Sequence, residues 1–270
     1  MTMNTRHIAI YCVTYHSYDA LNDYIASIEA ATRNASEDLR VSLMIADNTD
    51  ANPQAISEDS EAIDIHVLPH HENTGYFGAV KKLMEKYAPT NFDYAIISNV
   101  DVLLDVEFFN QLLSYNPGTD TGWIAPQIYS QLEQRDRNPK IMQRYAKKKL
   151  MILRALFRVP ILYNLYTHTV YKSKKLMTHQ HGDIYAGHGS FIILTKTFFQ
   201  QCGIIDYPVF LFCEEIYLGE QCQHHGLKVT YEPSIKVMDA EHASTSTFKR
   251  ARYCKYNYDA ISYILASYYA

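Results

Sequence analysis

Short apolar runs alternate with amphipathic stretches through the first hundred residues. Residues 7–15 form a continuous apolar, β-rich run, and Tyr24, Ile25 and Ile28 then recur at helical spacing as far as Arg33. Residues 41–46 repeat the strand pattern and stop at Asp47-Asn48-Thr49-Asp50, after which a polar loop leads to a short strand over 65–68. Gly75-Tyr76-Phe77-Gly78 opens a helix that reaches Lys86, and a strand over 94–98 precedes a helix around 108–113. Strands alternating with helices predict an α/β fold with a parallel, doubly wound sheet, whose ligand lies outside the carboxyl ends of the strands. Further on, residues 184–194 read as a strand, 214–225 as a helix, 227–231 and 235–238 as two short strands, and the Tyr-rich tail over 253–269 as a helix that packs on the body or on a partner.

The alternation breaks between 135 and 175, where twelve Lys and Arg residues face the single acid Asp136 while Leu150, Leu153, Leu156 and Phe157 share a helical stripe. This reads as an inserted basic amphipathic segment, and two readings stay open. In one it is a solvated hairpin whose Leu and Phe side chains pack on the domain. In the other Lys147, Lys148, Lys149, Arg154 and Arg158 meet anionic lipid while Leu153, Leu156 and Phe157 enter the membrane interface. The chain as a whole, 270 residues with 47% hydrophobic content and a net charge of -4, supports one main domain with an insertion and excludes a chain-wide nucleic-acid binder. Its five cysteines form no CxxC pair, which suits reduced thiols in a cytoplasmic protein. The first residues lead into a strand without a signal-peptide core, and no apolar run reaches membrane-spanning length.

Chemistry is concentrated at strand ends. The apolar run Phe210-Leu211-Phe212-Cys213 stops at Glu214-Glu215, and Ile96-Ile97-Ser98 stops at Asn99-Val100-Asp101. Removing carboxylates from water costs several kcal/mol without a compensating proton, metal or hydrogen-bond partner. Glu214-Glu215 offer a base, or else first-turn acids that complement a helix dipole. Asn99 and Asp101 offer oxygen ligands to Mg²⁺ or Mn²⁺, or simply a polar strand exit. Asp47 accepts from a base or ribose, or closes its strand as an Asx turn. Gly75 and Gly78 admit a nucleotide close to the backbone, or only start a helix. His242 alone reads more often as a surface histidine than as a ligand. A nicotinamide-dependent oxidoreductase is disfavoured because no GxGxxG follows the first strand.

The order of these pieces is more specific than any one of them. Val13-Thr14-Tyr15, Asp47-Asn48-Thr49, Asn73-Thr74-Gly75-Tyr76-Phe77-Gly78, Asn99-Val100-Asp101, Gly187-His188-Gly189-Ser190, Ile205-Asp206, Glu214-Glu215 and His242 follow one another along the chain. The series resembles the family-2 glycosyltransferases of GT-A fold, particularly the bacterial rhamnosyltransferase-like members. The resemblance implies a Rossmann-like, mostly parallel central sheet flanked by helices: a glycosyltransferase domain over residues 1–250 with the helical insertion at about 135–178, then a C-terminal helix over 251–270. It implies an inverting transfer from a nucleoside diphosphate sugar to a hydroxyl of a glycan or polyprenyl-diphosphate-linked acceptor, in bacterial surface polysaccharide synthesis. Glu215 would be the base, with Glu214 as the alternative. Asp101 and His242 would hold Mg²⁺ or Mn²⁺, and Thr14, Asp47, Asn48, Asn73, Gly75, Gly78 and Asn99 would line the donor site. The enzyme would work in the cytoplasm, at the inner face of the plasma membrane if the insertion binds lipid, and a homo-oligomer through the tail stays open. Glu215 stands where relatives carry Asp, Lys81 where Asn is common, and Tyr217 and Gln221 where an acid and an Arg are common. Those last departures motivate a second reading, a nucleotide-sugar-binding or scaffold subunit of a polysaccharide assembly complex.

Overall fold

The computed structural model describes residues 5–36, 38–69, 72–161, 163, 180–240 and 250–269. The first apolar run becomes β1 (Arg6–Thr14), whose consecutive side chains point to opposite faces: Ala9 and Tyr11 enter one core, and Ile8, Ile10 and Cys12 enter the other. α1 (Tyr18–Arg33) covers the second core. β2 (Leu39–Asp47) obeys the same rule, with Met44 and Ala46 on one side and Leu43 and Ile45 on the other. Both faces are covered by helices, so these strands are apolar throughout rather than alternating.

β3 (Asp64–Pro69) pairs beside β2, and α2 (Tyr76–Lys86) crosses the first face to β4 (Tyr94–Asn99). β5 (Val102–Leu104), α3 (Phe108–Ser114), β6 (Thr121–Ser130) and the two-residue β7 (Arg135–Asp136) follow. The second half of the described chain adds α4 (Lys147–Arg158), β8 (Gly182–Ile184), β9 (Phe191–Thr195), α5 (Lys196–Cys202), α6 (Glu214–His224), β10 (Lys228–Asp239) and α7 (Arg250–Tyr268). The sheet order is β3-β2-β1-β4-β9-β6-β10-β5, with β7 paired to β6 and β8 to β10. The block β3-β2-β1-β4 is parallel, as is the pair β6-β10, whereas β9 runs antiparallel between β4 and β6. Register brings Thr14 opposite Asp47 and Val13 opposite Asn99, so β1, β2 and β4 end side by side.

Three expectations change. The run over 184–194 is two strands, because Gly187-His188-Gly189 leaves the sheet between β8 and β9. The two short strands near the end are one, β10, in which residues 233–235 bulge between Glu232, opposite Pro126, and Lys236, opposite Gln127. Pro233 has no N–H for the ladder, which explains why the pattern looks interrupted. The insertion is not helical from 135: it opens with the strand β7, and its helix starts at Lys147. Residues 164–179 of the insertion lie outside the described residues.

The apolar stripe of α4 faces inward. Leu150 and Phe157 are buried, Leu153 packs against the same core, and the helix lies on α7. Arg144, just before it, grips Glu220 of α6 with two hydrogen bonds at 2.8 and 2.9 Å and donates to the Tyr268 carbonyl. Leu153 and Phe157 are therefore core residues, and the expectation that they enter a bilayer is overturned. The Tyr-rich tail packs on the body, burying Cys254, Ile261, Ile264 and Leu265. Among the described residues no helix is long and apolar enough to cross a membrane.

The two sides of α4 should respond differently to truncation. Leu150→Ala removes a fully buried side chain and should cost about 2–5 kcal/mol, whereas Ile152→Ala on the exposed side should stay within about 0.5 kcal/mol. Urea unfolding of both variants checks this, and equal losses would refute the orientation.

Candidate functional site

The side-by-side ends of β1 and β4, the glycine loop before β9 and the start of α6 enclose a cleft of about 560 Å³. Of the residues singled out from the sequence, Asn48, Asn73, Asn99, Asp101, Glu214 and Glu215 line it. Thr14, Asp47, Gly75 and Gly78 do not. His242 lies outside the described residues.

Asp47 is engaged within the protein. Its carboxylate accepts from the Thr49 amide and the Tyr18 hydroxyl, both at 3.0 Å, which is the Asx turn that closes β2. It sits behind the cleft wall, together with Thr14. Asn48 forms the wall itself: its Nδ2 donates to the Gly75 carbonyl at 3.1 Å, and its Oδ1 is buried without a hydrogen-bond partner among the described residues. An unpaired acceptor of this kind suits a donor group on a bound ligand.

Gly75 is required by contact rather than by a ligand. Its φ is +79°, and an added Cβ would stand 2.1 Å from the Phe210 carbonyl oxygen, to which Tyr76 N–H donates at 3.3 Å. The start of α2 is thereby tied to the loop over 207–213. Gly78 has ordinary room, with Thr74 at 3.5 Å as the nearest neighbour of an added Cβ.

That loop delivers the two glutamates. Phe212 and Cys213 both take left-handed backbone conformations, φ 75° and 63°, directly before α6. Two consecutive non-glycine residues in this region persist only when the surroundings hold them. The Tyr207 hydroxyl donates to the Phe212 carbonyl at 2.8 Å, and Phe212 N–H donates to Glu214 Oε1 at 2.8 Å. Helix α7 lays a row of rings against the same segment: Tyr253 on Phe212, Tyr256 on Phe210 and Tyr263 on Tyr207, at centroid distances of 5.1, 5.0 and 5.4 Å.

The neighbouring carboxyls differ in environment. Glu214 is buried, and burial first, then the charge of Glu215, push its pKa up to about 8 from an ordinary 4.5. Its surroundings therefore favour the protonated form. Glu215 is only half-buried and accepts from Gly189 N–H at 3.3 Å. Burial also raises the nearby Tyr76 phenol, with Glu214 adding to the effect, so that hydroxyl stays protonated; it donates to the Gly189 carbonyl at 3.2 Å.

His188, from the motif Gly187-His188-Gly189-Ser190, also lines the cleft, and Arg137, Lys140, Asp239, Arg252 and Tyr256 line it without having been read as site residues. Arg137 pairs with buried Asp239 at 2.6 Å. Arg137 and Lys140 belong to the basic segment that looked like a lipid or solvent surface, and no spacing rule links Arg252 of the tail to Asp101. Asn99 and Asp101 supply hard oxygen donors at a strand end, but no group of three His, Cys, Asp or Glu able to hold a metal occurs among the described residues. Mg²⁺ is commonly held by one or two carboxylates plus substrate phosphates. Asp101 fits a cation of that kind, shared with a ligand, rather than a cation caged by protein.

A model described as "Glycosyltransferase like family 2" matches residues 6–255. The N-acetylglucosaminyl-diphospho-decaprenol L-rhamnosyltransferase of Mycobacterium tuberculosis is 24% identical over 251 residues, covering 88% of this chain and 77% of that protein. Among solved structures, the mannosyltransferase PcManGT from Pyrobaculum calidifontis, in complex with GDP-Man and Mn²⁺, matches with a TM-score of 0.55 at 10% identity, over 90% of this chain and 59% of that one. S. aureus TarS 1-349 matches with a TM-score of 0.53 at 8% identity, over 97% and 72%.

The buried proton on Glu214 sets a pH dependence. The unfolded chain releases that proton near 4.5 while the fold retains it to about 8, so this group's contribution to stability is complete below the lower value and is lost as pH rises toward the upper one. Glu214→Gln should remove that decline. Urea midpoints at pH 5 and pH 8 should therefore show the wild type losing ground to the variant at the higher pH; a difference that does not change with pH would disprove the assignment.

Proposed function

The chain belongs to glycosyltransferase family 2, and from that premise we propose that its cleft moves a sugar from a nucleoside diphosphate donor to a hydroxyl of a glycan or polyprenyl-diphosphate-linked acceptor, with inversion at the anomeric carbon. The observation that carries this reading is the pair of unlike carboxyls at the start of α6, Glu214 buried and Glu215 half-buried, both in the cleft that Asp101 also lines. The mycobacterial relative, whose name gives a diphospho-decaprenol acceptor and a rhamnosyl product, supports the acceptor class. The nucleotide sugar and Mn²⁺ in the mannosyltransferase structure support the donor class and the cation.

In this mechanism the acceptor hydroxyl lies against Glu215, whose carboxylate takes its proton as the new oxygen–carbon bond forms. The bond from the anomeric carbon to the diphosphate oxygen breaks on the opposite side, and its electron pair leaves with the nucleoside diphosphate. Glu214 is the more buried of the two and burial raises its pKa, so Glu215 is the better placed base. Asp101, with Asn99 beside it and His242 from the following segment, would hold Mg²⁺ or Mn²⁺, which stabilises negative charge on the departing diphosphate. Asn48 offers its unpaired Oδ1 to the donor, and Lys140 and Arg252 add positive charge to the cleft. A lipid-linked acceptor would place the reaction at the inner face of the membrane.

The scaffold reading loses its motive. Tyr217 accepts from Asp206 N–H at 3.1 Å, and Gln221 donates to the Tyr268 hydroxyl at 2.7 Å. Neither lines the cleft, so both departures serve the packing of α6 against its neighbours.

Glu215→Gln should keep donor affinity, read by calorimetry, and lower transfer by roughly 10²–10⁴, the usual worth of a general base. Loss of transfer in Glu214→Gln with Glu215→Gln unaffected would exchange the roles. Asp101→Ala should abolish metal-dependent binding of the donor. Donor affinity that stays metal-dependent in that variant would remove Asp101 from the site.

A further inference from the structure

α4 carries apolar residues on two sides, and α7 uses only one of them. Leu150, Leu153 and Phe157 are committed to the core. Met151, Ile152 and Val159 remain 46%, 61% and 41% exposed, and Ile161, just past the helix, is 80% exposed. At 100° per residue, Met151 and Ile152 fall on the side opposite the buried stripe, with Lys148 between them and Lys147 and Arg158 along one flank, and Val159 follows at the C-terminal cap of the helix. The helix contains no acid at all. Lys149 is set apart, since its ammonium lies 3.6 Å from the centre of the Tyr145 ring.

We propose that this outward face of α4, Met151, Ile152 and Val159 edged by Lys147, Lys148 and Arg158, docks the protein on a bilayer surface containing anionic lipid. The charge decides the occupant. In a chain of net charge -4, an acid-free cationic helix complements an anionic headgroup layer, and two copies of it placed face to face would repel. The exposed apolar side chains are long enough to enter the headgroup and acyl boundary, while the lysine stems extend along it and keep their ammonium groups among the phosphates. The face differs from the one the sequence suggested, because Leu153 and Phe157 are spent on α7. Its position bears on the reaction: α7, on which α4 lies, contributes Arg252 and Tyr256 to the wall of the cleft. A bilayer bound to α4 is then one helix away from the wall of the site that a lipid-linked acceptor would have to reach.

The test is co-sedimentation of the full chain with phosphatidylcholine vesicles and with vesicles that also contain phosphatidylglycerol, at low and high salt. Binding should appear only with the anionic vesicles and weaken as salt rises. Each cation at such a surface raises binding roughly fivefold, so Lys147→Gln with Lys148→Gln and Arg158→Gln should lower the partition coefficient by roughly 100-fold. Met151→Ser with Ile152→Ser should lower it while the charges remain. These residues are exposed, and circular dichroism confirms that the variants stay folded. No binding, equal binding to both vesicle types, or unchanged binding of the cation-depleted variant would overturn the proposal. So would self-association, measured by ultracentrifugation without vesicles, that Ile152→Ser abolishes, because it would assign the face to a second copy. The readout involves no sugar transfer, so its failure would leave the proposed reaction standing.

Discussion

Two carboxyl groups at the start of one helix, one buried and one half-buried in the same cleft, form the constraint to which much of this structure answers. The first turn of α6 can hold acids because its unpaired N–H groups and dipole favour negative charge, yet burial drives the inner carboxyl to keep its proton. To aim both side chains the chain enters the helix through Phe212 and Cys213 in left-handed conformations, a strain of about 1–3 kcal/mol for each residue. Gly75 offsets part of this by letting the Phe210 carbonyl approach the start of α2, and the rings of Tyr253, Tyr256 and Tyr263 cover the loop from outside. The aromatic content of the C-terminal helix thereby has a physical role. It is the clamp on the strained approach to the site.

The clamp also ties the inserted segment to the chemistry. Arg144 joins the segment before α4 to Glu220, a buried acid one helical turn beyond Ile216, and the same Glu220 accepts from the Tyr185 hydroxyl at 2.8 Å. Insertion, α6 and α7 thus share one polar junction inside an apolar interface. A buried acid with a bidentate arginine and a phenol partner is satisfied, and losing one partner would strand the others. Arg137 and Lys140 from the start of the insertion stand in the cleft, opposite in charge to Asp101 and Glu215. The cleft is thus lined by charges of both signs.

Much of this was legible in the sequence, and what was not has identifiable causes. The order from β1 to β4 follows from local periodicity, because each strand is apolar on both faces and each helix has one polar side. The strand ends at Asn99-Val100-Asp101 and the helix start at Glu214-Glu215 were visible as charge that interrupts apolar runs. Asp47 looked the same but is satisfied by Tyr18 and Thr49, and only three-dimensional partners separate an Asx turn from an open ligand. The bulge at Pro233 made one strand look like two. The stripe on α4 was found, but its direction depends on α7, nearly a hundred residues later. Arg252 and Tyr256 gave no local signal, since their role comes from where α7 docks.

The longer acid at position 215 is explained by what lies beneath it. Glu215 extends over Gly189, accepts from its N–H, and would have its Cδ 3.3 Å from a Cβ placed there. A side chain at residue 189 would therefore press on the carboxyl group, which would have to shift to make room. The glycine loop between β8 and β9 leaves the sheet at this point, exposing a backbone donor that fixes one oxygen of Glu215 while the other stays available. Glu214, one residue earlier, finds its donor in Phe212 N–H on the buried side. Two backbone amides, Phe212 N–H and Gly189 N–H, thus hold two chemically identical side chains in place, and burial, acting against the Phe212 amide, raises the pKa of Glu214.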